Sequence, residues 1–169
     1  MNNSDQRKYF IVKHGLDALT ALPNYIWRTG TTEEPRAFER VNIGDRWIAF
    51  AYTTSDQRER PLSLITGFYE CTRTSRYGNI PAQALETSRG ETKAWLIEGE
   101  NVGDKLRHDV NVPTIDNLLG RPTFKGQTFI PIKEEDFVSI QERVLKWTVM
   151  QARKPRSLIT SVRNRKPKS

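Results

Sequence analysis

The feature that most constrains the fold is a series of short apolar runs, each bounded by turn-forming residues and each too short for a core helix. Residues 9–12 form an unbroken apolar run, which predicts a strand buried on both faces. Residues 46–54 instead alternate, as a strand does when its two faces pack against different neighbours. One face carries Ile48, Phe50 and Tyr52, and the other carries Trp47, Ala49 and Ala51. The small residues on the second face predict a close neighbour there.

Three further segments predict strands, at residues 62–73, 91–98 and 127–132. Gly67 in the first of them predicts a bulge or bend in that strand. Pro131 in the last predicts an edge strand, because proline cannot donate a hydrogen bond to a ladder. Short strands that alternate with short helical segments predict an α+β fold with about five strands.

The helical signals are brief except for the last one. Residues 15–22, 36–41 and 113–119 predict short helices, and the longest helix begins within residues 132–136. Its apolar stripe at three-to-four spacing consists of Phe137, Ile140, Val144 and Trp147, with Leu145 close by. Residues 23–35 and 74–90 follow neither period, so we expect a loop that carries Trp27 and an excursion from the core.

The excess positive charge is confined to the C-terminal end of the chain. The 27 lysines and arginines exceed the 20 acidic residues, for a net charge of +7, and seven of the bases lie in residues 153–169, where no acid occurs. The rest is formally neutral, which argues against a basic binding face on the domain. The tail is expected either to contact phosphates or to act only as a flexible, solubilising end. The phosphate-binding candidates are Arg153, Lys154, Arg156, Arg163, Arg165 and Lys166, with Lys168 beside them.

Length predicts one domain at residues 8–152, between a polar lead at residues 1–7 and the basic tail at residues 153–169. No apolar run approaches the ~18 residues that a bilayer-spanning helix needs, and the N-terminal lead lacks the apolar segment of a signal peptide. The single cysteine, Cys71, has no internal disulfide partner, as is common in a reducing compartment. We therefore expect a cytoplasmic protein with no membrane partner.

Residues suited to catalysis are few. The chain has two histidines, His14 and His108, and the one thiol of Cys71, and none of them stands at metal-ligand spacing. The sequence also lacks the glycine-rich motifs that cradle phosphates. The acidic run at residues 134–136 is explained by the dipole at the start of a helix. We expect no catalytic site, no metal and no cofactor. A nucleophile pair of His14 and Cys71 stays open as the alternative to a small buried cysteine.

Aromatic residues are the main functional signal. Trp27 lies in the predicted loop beside Arg28, and the strand at residues 46–54 brings a second ring, Tyr52, into the same region. Two aromatic planes can hold a flat ligand, so Trp27 is a candidate pocket wall. The alternative is a tryptophan that merely covers the core. Arg28 is equally suited to a phosphate, a carboxylate or solvent. The remaining large aromatics are expected in packing roles: Trp47, Phe50, Trp95 and Trp147.

Four short blocks, in this order along the chain, resemble EVE domains. They are Tyr9-Phe-Ile-Val-Lys13, Trp27-Arg28, the Ile43-Gly-Asp45 turn into a strand that ends in Tyr52-Thr53-Thr54, and Phe129-Ile-Pro-Ile-Lys-Glu-Glu-Asp-Phe137. The first half of the chain is also similar to YTH domains, which belong to the wider PUA-like group. The resemblance covers roughly residues 8–147.

The resemblance implies a mixed pseudo-barrel of five to six strands with flanking helices, and a pocket that receives a flipped, often modified base. At the matching positions, Trp27 and Tyr52 would wall the base. Thr53 and Thr54 would hydrogen-bond its edge, and Arg28 would meet a neighbouring phosphate. The chain departs from the EVE pattern at residues 28–32 and 36–38, where the usual Arg-Asn and Ala-Arg pairs are replaced, so the identity of the ligand stays open.

Together these features predict a nucleic-acid-binding module that accommodates a base in an aromatic pocket, with DNA or RNA as its partner. The alternative is a protein-interaction subunit of a larger assembly without a base pocket of its own.

Overall fold

The computed structural model of the protein describes residues 6–15, 22–52, 63–103, 115–123 and 128–152. These residues form six strands, two α-helices and three short 3-10 turns. The strands are β1 (Tyr9–Gly15), β2 (Tyr25–Thr29), β3 (Arg46–Tyr52), β4 (Ser63–Asn79), β5 (Lys93–Asn101) and β6 (Phe129–Ile132). The helices are α1 (Ile115–Leu119) and α2 (Glu134–Ala152), and the 3-10 turns lie at Phe38–Arg40, Ala82–Ala84 and Glu86–Ser88.

All six of these strands belong to one mixed sheet, in the order β2-β5-β4-β3-β1-β6. β1 runs parallel to β3, and the other neighbouring pairs are antiparallel. Within the described residues the end strands β2 and β6 do not pair with each other, so the sheet is not a closed barrel. The predicted α+β class is confirmed, and so is the edge position of the strand that contains Pro131.

β4 spans 17 residues and pairs with different neighbours along its length. Its first part pairs with β3 and its second part with β5. Ala49 pairs with Gly67, but the next residue of β3, Phe50, pairs with Ile65, which leaves Thr66 as an extra residue in the ladder. The bulge predicted at Gly67 is therefore confirmed beside that glycine. Bulges bend a strand and increase its twist, which helps the sheet to curl.

The two helices cover one side of the sheet. We call the apolar cluster between this side of the sheet and the helices the helix-covered core. Its buried residues include Tyr9, Ile11, Ile48, Phe50, Ile65 and Phe68 of the sheet and Ile115, Leu118, Phe137, Ile140 and Val144 of the helices. Apolar positions at three-to-four spacing place one stripe of α2 against the sheet. The buried position predicted for Phe50 is confirmed, as is the α2 stripe from Phe137 to Val144.

Trp147 was expected to continue that stripe, and this expectation is wrong. Its side chain is 37% exposed. At 3.6 residues per turn, Trp147 lies roughly 80° around the helix from Phe137. Thr148 lies nearer to the inward direction and is half-buried, with its hydroxyl donating to the Val144 carbonyl at 2.9 Å.

The other side of the sheet encloses a second cluster, which we call the inner core. Its buried residues are Phe10, Val12, Ile26, Phe38, Val41, Trp47, Ala49, Ala51, Leu64, Tyr69, Cys71, Trp95 and Ile97, with Phe129 packed against them. Residues of both end strands, β2 and β6, therefore meet in one cluster. The sheet must curl for this to happen, which is compatible with a barrel-like fold. Burial of Trp47, Trp95 and Cys71 confirms their predicted place in the core.

Aromatic rings lie directly over two glycines of the inner core. A Cβ added at Gly99 would collide with the ring of Trp47, and one added at Gly67 would collide with the ring of Tyr69. Glycine is required at these positions because of space, not because of a left-handed backbone. The close neighbour predicted for the small-residue face of β3 is present as well, because Ala49 and Ala51 are fully buried in the inner core.

Two segments that were predicted to lie outside the sheet belong to it. Residues 25–29 form β2 instead of a loop, and β4 continues to Asn79 where an excursion was expected. Only Ile26 of β2 is buried, and residues 72–74 of β4 are all exposed. Their backbones pair while few of their side chains are fully buried, so neither segment shows an apolar period.

The short helices predicted from the sequence agree with the structure to different extents. The short helix expected at residues 36–41 is a single 3-10 turn, Phe38–Arg40. α1 lies within the predicted 113–119 segment, of which Pro113 and Thr114 are outside the described residues, as is most of the 15–22 segment. Among the described residues, neither α1 nor α2 has the length and apolar character that crossing a bilayer requires.

Candidate base-binding site

Trp27 is the central residue of the predicted pocket, and it lies in the middle of the edge strand β2. It pairs with Leu96 of β5. The indole is half-buried and packs against a small cluster of Ile80, Ala84, Ala94 and Leu96. The expectation of a loop position is wrong, but the side chain is not sealed in the interior. Part of its surface stays available to a ligand.

His14 of β1 is the aromatic neighbour of Trp27. The two rings are nearly parallel, with 26° between their planes and 6.5 Å between their centroids. Direct aromatic pairs span centroid distances of about 4.5–7 Å, so this contact is at the loose end of the range. Sequence reasoning considered His14 only as a nucleophile partner. The sequence shows that His14 lies at the end of an apolar strand. However, β1 and β2 are separated by three strands in the sheet, and these two strands approach each other only because the sheet curls.

The electrostatics of His14 favour an uncharged ring. Burial lowers the pKa of the imidazole to about 4, well below its ordinary 6.5. The side chain as a whole is half-buried, but its Nε2 atom is inaccessible and has no hydrogen-bond partner among the described residues. A neutral imidazole presents one donor and one acceptor. His14 therefore combines an aromatic face with an unused polar atom.

The backbone brings Tyr52 to the same end of the sheet. His14 pairs with Ala51, and Gly15 pairs with Tyr52, in the parallel ladder of β1 and β3. Tyr52 is therefore one ladder position beyond the histidine that contacts Trp27. Only its backbone is described, and Thr53 and Thr54 lie outside the described residues. Of the predicted pocket residues, the ladder therefore brings the backbone of Tyr52 close to the contact between His14 and Trp27.

Arg28 does not share a surface with Trp27. Successive residues of a strand point to opposite faces, and Arg28 pairs with Trp95 on the inner-core side of β2 and β5. Its side chain is exposed and has no ion pair with any described residue. The structure thus separates two residues that the sequence suggested would act side by side.

The inner face next to Arg28 has its own aromatic group. Trp95 is buried and lies 6.2 Å from Tyr77, centroid to centroid. Tyr77 has a φ of +50°, in a bulge of β4 between Ser75 and Gly78. A bulky residue with positive φ is uncommon. The indole Nε1 atoms of Trp95 and Trp47 are both buried without a partner among the described residues.

The proposed nucleophile pair finds little support in the surroundings of Cys71. The thiol belongs to the inner core and is 1% exposed. Burial raises its pKa to about 11; a backbone hydrogen bond of Arg73 lowers the pKa by less, and the nearby charge of Asp45 raises it further. At neutral pH such a group stays a thiol and behaves as a small apolar side chain. Among the described residues, no three His, Cys, Asp or Glu side chains come together as they would around a metal ion.

Described residues line several surface cavities, among them the following three. One of 610 Å³ lies between residues 6–10 and residues 131–135, and one of 210 Å³ lies between the Phe38–Arg40 turn and β4. A third of 490 Å³ is lined by residues 30–33, Tyr77 and Glu91. Trp27 lines none of these three.

The six tail residues expected to bind phosphate, from Arg153 to Lys166, lie outside the described residues.

Comparison of the chain with known protein-family models and with curated proteins finds no match.

Proposed function

We propose that this chain is a PUA-like domain of the EVE type that binds nucleic acid and receives one base, modified or not, against Trp27. The observation that carries the proposal is the loose, nearly parallel pairing of a half-exposed Trp27 with an uncharged His14. A small displacement of either ring would admit a flat third ring, which would then contact an aromatic face on each side.

The energetics suit a base. Stacking on an aromatic side chain contributes about 1–3 kcal/mol per base. Extruding a base from a duplex costs a few kcal/mol, so a mismatched or single-stranded target binds more easily. His14 adds a second stacking face that is uncharged, because burial keeps its imidazole neutral.

The remaining predicted residues keep their roles in this proposal. Tyr52 contributes a further wall beside Trp27 and His14, and Thr53 and Thr54 contribute hydroxyls to the base edge. Arg28 contacts the backbone phosphate from the opposite face of β2. This is sterically reasonable because β2 is an edge strand, so a bound strand can pass around it. The partner is DNA or RNA.

The basic tail is proposed to add affinity without sequence preference. If all seven basic residues of 153–169 engaged phosphates, the log–log salt slope would steepen by about 6. Deleting residues 153–169 should flatten the salt dependence and leave base preference unchanged. Loss of base preference together with the tail would contradict this division of roles.

The decisive experiment compares two tryptophan variants. Binding of a panel of modified and unmodified nucleosides and single-stranded oligonucleotides is measured by fluorescence with the native protein, Trp27→Ala and Trp147→Ala. Trp147 is the matched control because it is also partly exposed but lies on α2. Trp27→Ala should weaken binding about 10- to 100-fold through loss of one stacking surface, and Trp147→Ala should bind as the native protein does.

The same pair of variants tests the alternative, a protein-interaction subunit. The observation in its favour is a set of exposed apolar side chains along α2: Val138, Leu145, Trp147, Val149 and Met150. Equal affinity of the native protein and Trp27→Ala for every ligand in the panel would overturn the base-binding proposal. A partner protein that releases Trp147→Ala and retains Trp27→Ala would then support the alternative.

A further inference from the structure

The 490 Å³ cavity is lined by Tyr77, which packs against the inner core, and not by Trp27. Three segments build it: the loop that follows β2, the bulge of β4 and the turn that precedes β5. Its lining consists of Gly30, Thr31, Thr32, Glu33, Tyr77 and Glu91. We call it the acidic cavity, because two of these six residues are carboxylates and none is a cation.

The two carboxylates are free to bind a ligand. Neither Glu33 nor Glu91 makes an ion pair or a side-chain hydrogen bond with a described residue. The neighbouring Glu34 differs, because it faces Arg76 at 3.8 Å. Both free carboxylates are exposed. The cavity therefore presents negative charge that the described part of the chain does not neutralise.

Local hydrogen bonds hold the backbone under both carboxylates. The Glu33 N–H donates to the Thr31 hydroxyl at 3.1 Å. Ser88 is buried, and its hydroxyl lies 2.7 Å from the Glu91 carbonyl, while the Glu91 N–H donates to the Ser88 carbonyl at 3.2 Å. These hydrogen bonds order the backbone that carries the two glutamates, which limits the entropy lost by that backbone when a ligand binds.

Tyr77 supplies the aromatic wall of the cavity. Its ring is backed by the buried Trp95, 6.2 Å away at 54°, and the bulge of β4 turns the residue out of the regular ladder. A ring supported in this way offers one face to a ligand. Aromatic faces attract cations, and they attract planar ones through stacking as well.

We propose that the acidic cavity binds a guanidinium group. A guanidinium is planar, positively charged and rich in N–H donors, so one ligand satisfies the carboxylates and the ring together. An ammonium group satisfies the charge but cannot stack as a plane. A nucleotide satisfies the ring, but its phosphate is repelled by the two carboxylates. The guanidinium belongs either to an arginine side chain of a polypeptide or to a small molecule.

The test is an NMR titration of the ¹⁵N-labelled full-length chain with agmatine, and with cadaverine as the control diamine of similar length and charge. Saturable shifts are expected at the amides of Glu33, Tyr77 and Glu91, with agmatine bound at least 5-fold more tightly than cadaverine. The Glu33→Gln, Glu91→Gln double variant should lose at least 10-fold in affinity. Because both residues are exposed, this variant should fold normally.

A second variant, Tyr77→Asn, removes the ring and keeps a residue that tolerates positive φ. It should also lose affinity for agmatine, whereas Trp27→Ala should bind agmatine as the native protein does, so the result is independent of the proposed base site. Equal binding by cadaverine, unchanged binding by the double variant, or tighter binding of guanosine monophosphate would each overturn the proposal. Of the two sources, a polypeptide is assigned if a capped Gly-Arg-Gly peptide binds more tightly than agmatine, and a small molecule if agmatine binds more tightly.

Discussion

The helix-covered core and the inner core are built from the same strands but differ in chemistry. On the helix-covered side the buried groups are almost all apolar, and the one phenol at its margin, Tyr9, donates to the Glu134 carboxylate at 2.8 Å. On the inner side, Trp47 and Trp95 bury indole N–H groups without partners among the described residues. Burial also raises the pKa of Tyr69 to about 12 on that side.

This difference suggests that the two sides serve different purposes. A well-satisfied apolar cluster contributes stability, whereas buried polar atoms without partners cost free energy. The inner core also borders the residues of the acidic cavity, through Trp95 and Tyr77, and the pairing partner of Arg28 lies in it. The helix-covered core should therefore dominate stability, and the margin of the inner core should carry the binding sites.

The largest expected effect lies in the helix-covered core. Phe137 is 1% exposed and packs its ring against Tyr9 and Phe68. Phe137→Ala should lower the free energy of unfolding by about 3–5 kcal/mol, through lost burial and a residual cavity. Urea unfolding monitored by circular dichroism measures this change.

Val138 provides the control for Phe137, since it is the next residue of α2 and is 44% exposed. Val138→Ala should change the free energy of unfolding by less than about 0.5 kcal/mol. Equal losses in the two variants would show that α2 does not stabilise the sheet through the face that contains Phe137.

A smaller effect is expected in the inner core, from a glycine. A Cβ at Gly99 would collide with the ring of Trp47 and approach the Glu70 carbonyl oxygen to 2.9 Å. Gly99→Ala should therefore destabilise the protein by about 1–3 kcal/mol, the usual cost of overpacking. Gly15→Ala is the control, because a Cβ there meets nothing within 4 Å. If Gly99→Ala left the free energy of unfolding unchanged, the inner core would be loosely packed, and the ring of Trp47 would not require a glycine at position 99.

An effect of about the same size concerns His14 and the pH. Its pKa is about 4 in the folded protein and about 6.5 in an unfolded chain. As the pH falls below 6.5, the unfolded chain binds a proton that the folded protein does not. The contribution of His14 to the free energy of unfolding is therefore at its maximum above pH 6.5, decreases as the pH falls to about 4, and is constant below pH 4. The protein should be about 2 kcal/mol less stable at pH 5 than at pH 7.5 from this group alone.

The variant His14→Phe keeps a flat ring and removes the titration. Urea unfolding at both pH values should show that this part of the pH dependence disappears in the variant, while His108 and the carboxylates contribute equally to both proteins. An identical pH dependence in His14→Phe would mean that the imidazole titrates normally, and the uncharged wall proposed beside Trp27 would have to be abandoned.

Much of the sheet was predictable from local pattern. The alternation in residues 46–54 correctly separated Ile48 and Phe50 from Trp47 and Ala49, because the two faces of β3 meet different cores. Gly67 correctly marked a bulge, and Pro131 correctly marked an edge. These features depend on the backbone of one strand and its immediate neighbours, so they leave a signal in sequence order.

The candidate sites were less predictable. β2 was mistaken for a loop because an edge strand with one buried residue lacks an apolar period. That error placed Trp27 and Arg28 side by side, whereas a strand sends them to opposite faces. The left-handed Tyr77 could not have been anticipated either, since nothing in its local sequence demands a positive φ.

Local sequence pattern was sufficient for the α+β class, for five of the six strands, for the α2 stripe from Phe137 to Val144 and for the concentration of positive charge at the C-terminal end. These follow from side-chain periodicity and charge, which act over a few residues. The contact between His14 and Trp27, and the cavity that Glu33, Tyr77 and Glu91 line together, depend instead on the folded sheet. Those contacts join strands and turns far apart along the chain, and they depend on how bulges and crowded rings curl the sheet.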